Sequence, residues 1–147
     1  MNYTNHLLIG FISAVVFIIL THYIFKWFNF SIIQIGIICL IIIVYSLLPD
    51  VDHRNSMISF IFIGLGIAGI GGGYYLKNNP IMISSFLLLV LTFLAWIIGH
   101  RQLVHSIIFD IIVSLPLAYF LGYQFGLLGF ICFYSHMLAD GEYFKIW

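Results

Sequence analysis

Six stretches of the chain, residues 7–25, 32–48, 57–76, 81–98, 107–121 and 125–138, run through aliphatic and aromatic residues with scarcely a charge among them. A helix rises 1.5 Å per residue, so each of the first four matches the roughly 30 Å of hydrocarbon in a bilayer. The last two are shorter, and span only if their helices begin near Leu103 and Gly122 or if neighbouring helices shield them. A mean hydropathy of +1.17 with 7% charged residues leaves too little polar surface to cover a soluble domain of 147 residues. The pattern predicts an all-α, integral membrane bundle of about six helices. Residues 1–147 form a single polytopic domain in the cell membrane, in contact with membrane lipid.

The first apolar run has no basic segment before it and is too long for the core of a cleavable signal, so it is expected to stay as a helix. The breaks between runs are short, which makes sequential helices antiparallel neighbours, and Pro80 suits a helix start. Cys39 and Cys132 fall inside apolar runs and read as small core residues with no disulfide. A formal net charge of zero with five Lys plus Arg excludes a nucleic-acid-binding surface. "GLGIAG", residues 64–69, has the glycine spacing of a dinucleotide-binding loop, but no strand precedes it and no acidic residue follows about twenty positions later. Gly69 and Gly73 instead have the spacing that lets two helices approach closely in lipid.

Twelve of the sixteen Asp, Glu, Lys, Arg and His residues fall in four clusters. These are His6; Asp50, Asp52, His53 and Arg54; His100, Arg101, His105 and Asp110; and His136, Asp140 and Glu142. They lie before the first run, after the second, between the fourth and fifth, and at the end of the sixth. With antiparallel spans all four reach one membrane face, whereas the other face receives only "KWFN", "KNN" and "GYQ". Imidazoles and carboxylates converging at the rim of a bundle point to a borderline-soft divalent metal, zinc first. His136 and Asp140, at i and i+4, share a helix face.

Taken singly, several of these residues have plainer readings. His6 suits a polar helix cap, Asp52 a turn or N-cap after Pro49, and His100 with Arg101 an interfacial loop. Asp110 does not, because an ionisable group a turn inside an apolar run is costly without a partner. It is placed to orient a metal-binding histidine, with Ser106 and His105 nearby. His22, at the far end of the first run, reads as interfacial.

"NYTNHLLIG", "LLPDVDHRNS", "GHRQLVHS" and "YSHMLAD" together resemble, in order and over nearly the whole chain, the YdjM-like family of membrane-bound, predicted metal-dependent hydrolases. That family is distantly similar to the zinc-dependent phospholipases C. Carried over residue by residue, the resemblance implies one to three zinc-like divalent ions held by His6, Asp50, Asp52, His53, His100, His105, His136 and Asp140. Asp110, Ser106 and Ser135 would support these ligands. Gln102 stands where relatives carry glycine, which bears on the shape of the substrate pocket.

The activity so implied is hydrolysis of a phosphoester such as a lipid headgroup, with Asp50 or Asp52, whichever is not tightly ligated, taking the proton from the attacking water and Arg101 facing the phosphate charge. Two other classes compete: a membrane subunit with a purely structural metal site, and a metal-ion binding or transport protein. Transport calls for polar residues at several depths, and the runs are nearly bare. Seven or eight ligands exceed the four of a structural zinc, which favours the enzyme. Orientation stays open. Lys26 and Lys77 against Lys145 favour an outward-facing site, but counting Arg54 and Arg101 reverses the balance.

Overall fold

Serine hydroxyls start three of the helices. Ser31, Ser56 and Ser106, each in extended backbone, accept from the N–H groups of Gln34, Ser59 and Phe109 and so satisfy donors that a first helical turn leaves open. The carboxamide oxygen of Asn78 accepts from Ile81 N–H at a fourth start, where Pro80 occupies the first turn and loses no hydrogen bond there.

The computed structural model describes residues 3–98 and 104–141. Among them are six α-helices: α1 (Tyr3–Phe25), α2 (Ile32–Leu47), α3 (Met57–Tyr75), α4 (Asn79–Ile98), α5 (Ile107–Leu121) and α6 (Tyr123–Ala139), with a 3-10 helix at Leu48–Asp52. The expected all-α architecture of six helices is therefore observed among the described residues. Four helical segments, Tyr3–Phe25, Ile32–Asp52, Met57–Tyr75 and Asn79–Ile97, are long and apolar enough to cross a membrane.

The chain divides into two compact units, one made of Met1–Pro49 with His105–Trp147 and the other of Asp50–Val104. In the first, α6 packs against α1, α2 and α5. Ala14, Ile38, Ile41, Ile42, Phe125, Leu128 and Cys132 form its core together with Phe28. That central position explains how an α6 of 17 residues serves, because its neighbours shield it. α5 is shorter still at 15 residues and starts at Ile107, short of the Leu103 that an unshielded span requires. It too is packed on α6.

The second unit is the α3–α4 hairpin with the residues preceding it. A Cβ added to Gly73 would sit 2.7 Å from the backbone nitrogen of Met82, and one on Gly69 would collide with Ser85, so these glycines bring α3 and α4 together as their spacing predicted. Val51 carbonyl accepts from Ser59 Oγ at 2.7 Å and from Trp96 Nε1 at 3.1 Å, which fixes the Asp50–Asp52 segment to this hairpin.

The expectation that both cysteines are core residues holds for Cys132, which is buried, and not for Cys39, which is exposed on α2. An apolar surround does not distinguish a core from a lipid-facing position. Both thiols are free, as expected.

Candidate metal centre

The last turn of α6 carries His136, and Asp140 caps it, its N–H donating to His136 carbonyl at 3.1 Å. Gly141, at φ 81°, takes the left-handed conformation that ends the helix there. The i,i+4 spacing then brings His136 Nε2 within 3.4 Å of Asp140 Oδ2.

Two further imidazoles meet the same carboxylate. His6, in the first turn of α1 and not at a cap, places Nε2 3.5 Å from Asp140 Oδ1. Its ring stacks on that of His136, with centroids 3.7 Å apart and 14° between planes. His105, immediately before the N-cap of α5, places Nε2 3.8 Å from Asp140 Oδ2 and sets its ring edge-on to His136 at 5.7 Å. All three histidines are buried, with 0–1% of their surface exposed. Three helix ends remote in sequence thus deliver three imidazole nitrogens to one carboxylate, on the one end of this unit that spacing predicted.

The orientation of His136 is fixed from behind. Its Nδ1 donates to Ser46 carbonyl at 2.7 Å. Ser46 lies at the end of α2, and Pro49, three residues on, has no N–H to offer that carbonyl. A carbonyl only accepts, so Nδ1 carries the proton and Nε2 presents its lone pair towards Asp140.

These separations suit a metal better than direct hydrogen bonds, which run at about 2.7–3.2 Å. Around a tetrahedral zinc with bonds of 2.0–2.1 Å, neighbouring ligand atoms sit roughly 3.3 Å apart. The observed 3.4–3.8 Å is close to that edge. Ligand atoms of His105, His136 and Asp140 all lie within 4.8 Å of one another, as a shared ion requires. Imidazole nitrogen with carboxylate oxygen is also the donor set of zinc and similar ions.

The remaining expected site residues are placed as follows. Asp50, Asp52 and His53 belong to the second unit; Asp52 is buried, and His53 is exposed with Nδ1 accepting from Asn55 N–H. His100 and Arg101 lie outside the described residues. Ser106 caps α5, and Ser135 Oγ donates to Cys132 carbonyl. Asp110 is fully buried, and its Oδ1 accepts from Ser114 Oγ at 3.3 Å. Ser114 was not singled out in the sequence, although its i+4 spacing from Asp110 is a readable signal. The Ser46 carbonyl and Gly10 were missed as well. A Cβ on Gly10 would collide with Ser46 Oγ, so this glycine sets how closely α1 approaches the turn of α2 that orients His136.

The family model described as YdjM inner membrane protein matches residues 1–142. No curated protein and no solved structure matches the chain.

Proposed function

The chain belongs to the YdjM inner membrane protein family, and from that premise we propose that it is a membrane-bound, metal-dependent hydrolase acting on a phosphoester carried by a lipid headgroup. The observation that supports this most is the convergence of His6, His105 and His136 on Asp140 at 3.4–3.8 Å. The family motifs add Asp50, Asp52, His53 and His100 to the ligand set, more donors than one structural ion takes.

In this reading the cation supplies charge that polarises a phosphoryl oxygen and acidifies water. The chain does the rest. Ser46 carbonyl holds the His136 ring in one tautomer and one direction. Whichever of Asp50 and Asp52 is not held by the cation would accept the proton of the attacking water, and Arg101 would offer its planar fork to the phosphate.

A metal that only staples helix ends is the second reading, favoured by the fact that the three histidines come from three different helix ends. Metal per purified chain and turnover of a phosphodiester separate the two. Two or more ions per chain, with hydrolysis abolished in His136→Ala, supports the enzyme. One ion with no turnover of any phosphoester supports the staple.

A further inference from the structure

Residues 53–56 are all that separates two of the segments able to cross a membrane, Ile32–Asp52 and Met57–Tyr75. So short a connection stays at the rim of the hydrocarbon, at the level of lipid phosphates. The turn is fixed to α3 and α4. His53 N–H donates to Asp50 carbonyl, and His53 carbonyl accepts from Ser56 N–H and from Oγ of the fully buried Ser59. Trp96 Nε1 donates to Val51 carbonyl just before it. Asp50 is half-buried and Asp52 buried, whereas His53, Arg54 and Asn55 are exposed, so the open edge of the turn carries two basic side chains and an amide but no carboxylate.

The family motif counts His53 among the metal ligands, but the hydrogen bond it makes gives it a different job. Its Nδ1 accepts from Asn55 N–H at 3.3 Å. A ring nitrogen that accepts carries no proton, so the proton of the neutral ring is on Nε2. One nitrogen then spends its lone pair within the turn and the other is a donor, which leaves none for a cation. His136 has the opposite arrangement, with the proton on Nδ1 and Nε2 open to a metal. The remaining implied ligands still exceed the four of a structural zinc.

Arg54 is the second donor. Its guanidinium lies over the Trp96 ring, 6.0 Å from the centroid, and among the described residues no carboxylate is within ion-pair distance of it. Stacking engages the flat face of the guanidinium and leaves the N–H groups at its edge for an anion. We infer that His53 and Arg54 together recognise the phosphate of a phospholipid headgroup, His53 through Nε2–H and Arg54 through its guanidinium. The inference rests on the hydrolase reading, whose substrate phosphate this turn would hold, and it takes His53 out of the ligand set.

Metal content and lipid binding test it without turnover. The purified full chain is analysed for bound metal, and its complexes with phosphatidylglycerol, with diacylglycerol of the same chains and with inorganic phosphate are weighed intact by native mass spectrometry. His53→Ala is expected to keep the metal that His136→Ala loses, and to bind phosphatidylglycerol about five- to tenfold more weakly. Arg54→Ala is expected to lose about tenfold. His53→Gln, whose amide donates from close to the place of Nε2, is expected to recover most of the affinity, which a lost metal ligand would not. An unchanged melting temperature marks each variant as folded, and Arg54→Ala decides by itself if His53→Ala is not. Loss of metal in folded His53→Ala would make His53 a ligand and overturn the assignment. So would unchanged phosphatidylglycerol affinity in both alanine variants, or diacylglycerol binding as tightly as phosphatidylglycerol. Inorganic phosphate displacing the lipid at equal concentration would make the turn a site for the free anion and overturn the headgroup assignment. Headgroup-dependent binding without cleavage of any phosphoester counts against the hydrolase reading and leaves the recognition turn standing.

Discussion

His136 and Ser46, ninety positions apart, are joined by a hydrogen bond of 2.7 Å from the ring Nδ1 to the backbone carbonyl. The bond depends on that carbonyl being open to a side-chain donor. Pro49 keeps it so, because it lacks the N–H that would otherwise reach back within the 3-10 helix at Leu48–Asp52. Pro49→Ala restores a competing donor and frees the ring to turn. Metal affinity in this variant is expected to fall by about 10–100-fold, the usual effect of losing an outer partner of a ligating histidine. Metal titration of the purified variant checks this, and an unchanged affinity removes Pro49 from the account.

His136→Ala and Asp140→Ala each remove a donor from the centre itself. Bound metal is expected to drop by at least about tenfold in both. His22→Ala is the control, since His22 sits in the last turn of α1, packs on Phe30 at 4.9 Å and meets none of the centre. Elemental analysis of the three proteins decides: equal metal content in all would mean that Asp140 and His136 are not ligands.

Gly10→Ala drives a methyl group into Ser46. Overpacking of this kind costs about 1–3 kcal/mol, and here it also displaces the carbonyl that orients His136. Lower thermal stability and weaker metal binding are expected together. Adding Ser46→Gly removes the colliding side chain and should restore metal binding while leaving a residual cost of about 1 kcal/mol for glycine within a helix. Absence of rescue in the double variant would trace the defect to something other than this contact.

Stripping the metal is expected to loosen the first unit, since the candidate ligands come from α1, the residue before the N-cap of α5, and the end of α6. At a hundredfold excess of metal over its dissociation constant the linkage is worth about 2.7 kcal/mol, a melting shift of roughly 5–10 °C. Detergent-solubilised protein with and without a strong chelator measures it. A chelated, metal-free protein that melts at the same temperature would show that no ion joins these helices.

Much of this was readable before any coordinates. Apolar runs gave the six helices, and the i,i+4 spacing of His136 and Asp140 gave the pair at the end of α6. His6 was placed at the right end of the bundle but outside α1, because nothing in "NYTN" marks where a helix begins. The Ser46 carbonyl has no residue signature at all: any residue would supply it, and only the fold says which. Exposure of Cys39 was equally hidden, since a helix apolar on every side does not announce which face meets lipid.

The membrane face of the centre is decided by which side of the bilayer the α1–α2 connection occupies. α1 carries His6 near its start and Lys26 just beyond its end, and its 23 residues cover about 34 Å, enough to put the two at opposite faces. Lysine in a short loop favours the cytoplasm, so Lys26 predicts the α1–α2 connection inside and the centre outside, whereas counting Arg54 and Arg101 predicts the reverse. Asn29 in that connection is exposed, and its side chain makes a single 3.3 Å contact with Ser31 N–H, so Asn29→Cys disturbs little. With Cys39→Ala and Cys132→Ala in the same chain, a membrane-impermeant thiol reagent applied to intact cells is expected to leave Cys-substituted position 29 unlabelled until the membrane is opened. Labelling from outside would put the centre on the cytoplasmic face and confine its substrate to the inner leaflet.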